Sequence, residues 1–236
     1  MKNIIFPSLI IAGGIAAAGF FIGNTLYKSR VALNTVTVKG LAERRVDADQ
    51  ARWKINYTVQ DKNKDRIPEL YSRAEEDKTK IVSYLKNGGI LSDEISLGVI
   101  DYTHQEYRND DKELVDELHT LTGIIEIETK RVQSIKIVRS NLNELMIDGI
   151  NLDNHPPQYK FTRLNAIKPE MLKEATQNAR IAAAEFATNS GSEVGRIRSA
   201  RQGGFTIIDA GETYGDTKKL KKDVRVVTTS EFYVEN

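Results

Sequence analysis

Gln50-Ala51-Arg52-Trp53-Lys54-Ile55-Asn56-Tyr57-Thr58-Val59-Gln60 decides the fold class. Ala51, Trp53, Ile55, Tyr57 and Val59 alternate with Arg52, Lys54, Asn56, Thr58 and Gln60. Successive side chains of a strand point to opposite faces, so this alternation predicts a β-strand with one buried and one wet face. Trp53, the only tryptophan in the chain, falls on the apolar face and reads as core rather than as a ligand platform. Just upstream, Thr35-Val36-Thr37-Val38-Lys39-Gly40 is β-rich and closes on glycine.

Working outward, Asp61 to Asp65 is a polar turn, and residues 67–87 follow with helical spacing. Ile67, Leu70, Ala74, Ile81 and Leu85 make one stripe, Pro68 suits a first turn, and Gly88-Gly89 stops the helix. Residues 95–102 read as a strand, 107–117 as an acidic loop or hairpin tip, and 118–129 as a strand with Leu121, Ile125 and Ile127 on one face. A second helix is expected over 131–147, ended by Asp148-Gly149, then a turn-rich loop over 151–157 and a strand over 158–164. The third helix runs from Pro169 to Gly191, with Leu172, Ala175, Ala179, Ala182, Ala183 and Phe186 as its apolar stripe. Short strands at 194–200 and 205–208, a polar excursion over 211–222 and a final strand over 224–234 complete the chain. Strands that follow one another directly form antiparallel hairpins, so the expected class is α+β with mixed, largely antiparallel sheets and three main helices. Residues 31–236 are read as one such domain, with a seam between two lobes near 151–157.

Ahead of this domain, Ile4 to Leu26 carries no charged side chain; Lys2 precedes it, and Lys28 and Arg30 follow. A run of this length crosses a bilayer as one helix, and Ile4 and Leu26 are its expected ends. Secretory signals have an apolar region of roughly 7–15 residues. Ala16-Ala17-Ala18 would supply a cleavage site before Gly19, but the run continues through Phe20, Phe21 and Ile22. Residues 1–30 are therefore read as a retained anchor, with a cleaved signal as the alternative. Lys28, Arg30, Lys39, Arg44 and Arg45 would by themselves place the domain in the cytoplasm, yet large domains translocate largely regardless of charge, so orientation stays open at this point. Gly19 and Gly23 form a single small-residue step of the kind that lets membrane helices approach.

Charged residues make up 28% of the chain and the net charge is +1, which argues against a nucleic-acid binder. The absence of cysteine excludes disulfides, thiolate catalysis and cysteine metal sites. His104, His119 and His155 have no partner at metal-ligand spacing and read as surface or loop histidines. Asp110, Asp111, Glu113, Asp116 and Glu117 lack the register of a calcium loop and read as a solvated tip. Gly191-Ser192-Glu193-Val194-Gly195 and Gly203-Gly204 are turns, not phosphate loops, and no nucleophile elbow or Ser-x-x-Lys set occurs. No catalytic residue, cofactor or metal is expected. Lys218, Lys219, Lys221 and Lys222 form a basic run between Asp216 and Asp223, a candidate contact for anionic lipid or another polyanion, or else a solvated loop.

Residues 36–51, Val-Thr-Val-Lys-Gly-Leu-Ala-Glu-Arg-Arg-Val-Asp-Ala-Asp-Gln-Ala, resemble the opening of the SIMPL domain family. Gly40, Asp49 and Ala51 match the family's glycine, aspartate and small residue, while Ala48 stands where proline is usual. Ala175 to Gly195 is similar to the family's alanine-rich helix and its glycine step into a strand, and the last strand has a counterpart too. The resemblance covers the chain from Thr35 to its end. It implies a bacterial envelope protein with its domain in the periplasm, held at the inner membrane by a single pass. It also implies a homo-oligomer, ring- or channel-like, with a structural or stress-related role and no established enzymatic activity. The alternatives kept open are a binding module for an envelope polyanion or anionic lipid and, behind it, an unrecognised hydrolase.

Overall fold

The computed structural model describes residues 5–30 and 34–235. In chain order the elements are α1 (Ile5–Arg30), β1 (Thr35–Asp47), β2 (Gln50–Asp61), α2 (Ile67–Asn87), β3 (Ile95–Leu97), β4 (Asp101–Arg108), β5 (Leu114–Thr129), α3 (Val132–Asn141), α4 (Asn143–Ile147), β6 (Asn151–Asp153), β7 (Gln158–Lys160), α5 (Leu164–Asn189), β8 (Glu193–Asp209) and β9 (Lys221–Glu235). The class is α+β with antiparallel sheets, as the hairpin-rich order predicts. The chain forms two compact units. One comprises Met1–Ala42, Pro169–Phe205 and Val226–Asn236; the other comprises Glu43–Lys168 and Thr206–Arg225.

The second unit is built on β2. Its register with β5 runs from Ala51↔Thr129 to Asp61↔His119, antiparallel throughout. β6 and β7 pair with the other edge of β2, while β3 and β4 pair with β5. The alternation read from the sequence holds residue by residue. Ala51, Trp53, Ile55, Tyr57 and Val59 are buried and join Leu121, Ile125 and Ile127 of β5 in one core. Helix α2 closes that core with Leu70, Ala74, Ile81 and Leu85. Trp53 Nε1–H donates to the His155 carbonyl at 2.8 Å, which satisfies the one polar atom of the indole. Gly123 lies opposite Tyr57, and a Cβ there would meet the Tyr57 ring at 2.0 Å, so only glycine leaves space for that ring.

Several boundaries differ from those the sequence predicts. The acidic stretch 107–117 is the end of a long hairpin, with β4 and β5 paired from Asp101↔Thr122 outward and a tip at residues 109–113. Residues 131–147 form two helices, because the chain breaks at Leu142. The strand expected over 158–164 stops at Lys160, and α5 begins five residues ahead of Pro169. The cause is Asp49, whose carboxylate accepts the N–H groups of Thr162 at 2.8 Å and Arg163 at 3.1 Å and so prepares the helix start. Residues 151–157 lie inside the second unit, where Asn151–Asp153 is a strand on β2.

In the first unit the strand order is β1-β9-β8. Its core gathers Val38, Ala179, Ala183 and Phe232. The buried stripe of α5 is Met171, Ala175, Ala179, Ala183 and Ala187, rotated from the expected one, and Phe186 is 64% exposed. Backbone proximity selects the alanine face: a Cβ on Gly40 would lie 1.9 Å from the Ala175 carbonyl oxygen. At that separation a larger side chain on either element has no room. The two short strands expected near the C-terminus are one, β8, continuous through Gly203, where a Cβ would come within 2.6 Å of the Val227 carbonyl.

Candidate functional site

Helix α1 is apolar on every side. Leu9, Ile15, Phe20 and Phe21 each leave about two thirds of their surface exposed. The stretch Ser8–Lys28 is long and apolar enough to cross a membrane. Its 21 residues rise about 31 Å, the thickness of a bilayer's hydrocarbon core. Of the two ends expected from sequence, Leu26 lies in this helix and is exposed, and Ile4 falls outside the described residues. Gly19 and Gly23 have open space where a Cβ would stand.

The lysine run does not present four free charges. Lys222 is fully buried, and its ammonium donates to the buried carboxylate of Asp209 and to the Asp216 carbonyl at 2.8 Å. It cannot contact an anion from solvent, and the reading of it as a contact residue is corrected accordingly. Asp209 also accepts the N–H groups of Lys218 at 2.8 Å and Lys219 at 3.0 Å. Burial raises its pKa, but these donors, Lys222 first, outweigh burial and hold it below the usual carboxylate range. Lys219 Nζ bonds Glu212 at 2.6 Å, Lys221 Nζ stands 3.9 Å from Asp47, and Lys218 is exposed. Arg45 clamps Asp223 with two bonds of 2.7 and 2.9 Å. The segment between β8 and β9 is thus tied down from beneath by an aspartate–lysine pair that composition alone does not reveal.

Asp49 is a second hub. Besides the two backbone N–H groups, it accepts Thr162 Oγ1–H at 3.0 Å and Arg163 Nε–H at 2.8 Å. Burial pushes its pKa up; the Thr162 N–H and hydroxyl and the Arg163 guanidinium more than offset this and lower it. With Lys130 these residues line a cleft of about 310 Å³. Tyr57 is pushed the other way, up to about 12, by burial and then by the negative charges of Glu75 and Asp77.

The histidines divide. His155 is exposed and pairs with Asp153 at 2.7 Å. His104 and His119, read as surface or loop residues, face each other across the β4–β5 hairpin. His119 is 1% exposed, because β5 lies between β2 and β4 and carries it inward. The two rings stack at 4.6 Å between centroids. Glu117 stands beside both, 3.1 Å from His104 Nε2 and 3.5 Å from His119 Nε2. The three side chains converge closely enough to hold a metal ion. Sequence spacing concealed the cluster because the hairpin did. His104 and His119 come opposite each other only after a one-residue register shift between Tyr107 and Arg108, so placing the turn at 109–113 and counting outward falls one residue short of the pairing.

The profile of the SIMPL family, described as a protein of unknown function (DUF541), matches residues 36–225. The chain belongs to the SIMPL family. No curated protein matches it. The three residues that carry the resemblance each have a physical role in this SIMPL domain. Gly40 lets β1 lie against the backbone of α5. Asp49 organises the start of that helix. Ala51 is wholly buried where β2 pairs with β5 and β7. At the departure from the family pattern, the Ala48 N–H donates to the Leu220 carbonyl at 2.7 Å, a bond that proline could not make.

Proposed function

We propose that this protein is a membrane-anchored envelope component whose SIMPL domain sits outside the cytoplasm and assembles with copies of itself in a structural, non-enzymatic role. The observation that carries the anchoring is α1, whose apolar stretch Ser8–Lys28 spans a bilayer's thickness with none of it buried against the rest of the described residues. Membership in the SIMPL family supports the envelope setting. Self-assembly is favoured by β8, a 17-residue strand at the edge of its sheet, continuously exposed over residues 196–204. Such an edge offers unpaired backbone groups to another chain, and Arg196, Arg198 and Arg201 along it restrict pairing to a complementary partner. A polyanion-binding role has weaker support, since Lys222 is buried and Lys219 and Lys221 have acidic neighbours.

The test is the particle mass of the full-length protein in mild detergent, beside a chain beginning at Val31. A defined species larger than a dimer is expected for the full-length protein. A strict monomer at micromolar concentration would remove the assembly reading.

A further inference from the structure

We infer that His104, Glu117 and His119 form a binding site for a borderline divalent transition ion of the Zn²⁺ and Cu²⁺ class, with Tyr102 as the residue that positions His119. The argument starts from the hairpin register. His104 and His119 are directly opposite, so their side chains leave the same face. Glu117 is two residues before His119 on β5 and emerges on that face as well. Two imidazoles and one carboxylate are the donor set that such ions prefer, and a three-ligand set leaves a coordination position open.

The distances suit that ion. Ligands at about 2.0–2.1 Å in a tetrahedron lie about 3.3–3.4 Å from one another. Glu117 stands near that separation from each imidazole through a different oxygen, Oε2 at 3.1 Å from His104 Nε2 and Oε1 at 3.5 Å from His119 Nε2, and with one ligand atom from each residue the set lies within 4.8 Å.

The independent observation is the state of His119. It is 1% exposed, and its Nε2 is a buried nitrogen with no hydrogen-bond partner. Buried polar atoms left without a partner are uncommon and destabilising. Its other nitrogen, Nδ1, is 2.7 Å from the Tyr102 hydroxyl. With the proton on Nδ1 and donated to that oxygen, the Nε2 lone pair is free, 3.5 Å from Glu117 Oε1. This is how metal-binding histidines are usually oriented.

Neighbouring carboxylates are otherwise engaged. Asp61, opposite His119 on β2, is held by Arg66 at 2.9 Å, and Glu106, opposite Glu117 on β4, is held by Arg108 at 2.6 Å. The rings of His104 and His119 lie within 5° of parallel, a geometry in which both lone pairs cannot point at one ion. Coordination therefore rotates His104, the exposed partner, out of the stack while Tyr102 keeps His119 in place.

The experiment is calorimetric titration of Zn²⁺ into chelator-treated, tag-free full-length protein in detergent. The variants are His104→Ala, Glu117→Gln, Tyr102→Phe and, as control, His155→Ala. One ion per chain is expected. His104→Ala and Glu117→Gln should each weaken binding by about ten-fold or more, and Tyr102→Phe by about ten-fold. His155→Ala should bind as the parent does. The His104 ring resonances should shift on loading as the ring leaves the stack. Circular dichroism establishes that each variant is folded; His104, Glu117 and Tyr102 are surface-accessible and His119 is left unchanged. Absence of binding at ten equivalents of Zn²⁺, or equal affinity in His104→Ala, Glu117→Gln and parent, overturns the assignment.

Discussion

Replacing Lys222 with methionine removes the ammonium that neutralises Asp209 and keeps most of the aliphatic volume. Asp209 is 1% exposed and Lys222 is fully buried. The carboxylate would retain two backbone donors, from Lys218 and Lys219, but no counter-charge. The Asp216 carbonyl would also lose its donor. Removing one partner of a buried ion pair destabilises by about 3–5 kcal/mol. Against a total stability of about 5–15 kcal/mol, that is a large fraction. Trp53 reports on the same unit, since it is the single tryptophan and lies in that unit's core. In urea titrations of the full-length protein in detergent, an m-value of about 1–3 kcal/mol/M converts the loss into a midpoint shift of about 1 M or more. Asp209→Asn strands the ammonium instead and should destabilise comparably. The double variant Asp209→Asn/Lys222→Met carries neither charge and should lose less than the sum of the singles, by about 1.5 kcal/mol or more. A Lys222→Met midpoint within about 0.3 M of the parent, or strictly additive singles, would refute the reasoning.

The other expectations rest on separate contacts. Asp49 and Asp209 bind protons more weakly when folded than when unfolded, so their stabilisation is complete above about pH 4 and drains away as pH falls through their folded values. The urea midpoint should therefore drop from pH 6 to pH 3.5 and drop less in Asp209→Asn; a midpoint that rises on acidification would contradict this sign. Asp49→Ala removes the acceptor that holds the Thr162 and Arg163 N–H groups ahead of α5 and should destabilise by about 1–2 kcal/mol in the same titration. Gly40→Val forces β1 away from α5, and loss of the cooperative thermal transition is the expected outcome, with parent-like melting as the contrary one. Tyr57→Phe deletes a buried hydroxyl that has no hydrogen-bond partner, so stability should be unchanged or slightly higher.

What could be read from the sequence was what local pattern controls. β2 is legible because alternation reports directly which face is buried, and α2 because Pro68 and Gly88-Gly89 punctuate it. The start of α5 was not legible: its cause, Asp49, lies more than a hundred residues away, and Pro169 offered a stronger local signal. The α5 stripe was misplaced because a helix with apolar residues on several sides has no unique inward face. The choice of alanines follows from Gly40 on another strand. The candidate site was hidden for the same reason. His104, Glu117 and His119 meet only through hairpin register, and the acidic tip that sets this register has the composition of a plain loop. Lys222 shows the converse, a charge in a polar run that pairing with Asp209 turns inward.

The central claim, an anchored domain held outside the cytoplasm, is tested most directly by labelling one engineered cysteine. The chain has none of its own, so the background is zero. Tyr214 is 88% exposed in the segment between β8 and β9 and is the position of choice. Tyr214→Cys, expressed in bacterial cells whose outer membrane has been permeabilised, is treated with a membrane-impermeant maleimide before and after lysis. Full labelling before lysis, on protein that stays with the membrane through alkaline extraction, is the predicted result. Labelling that appears only after lysis would contradict the account.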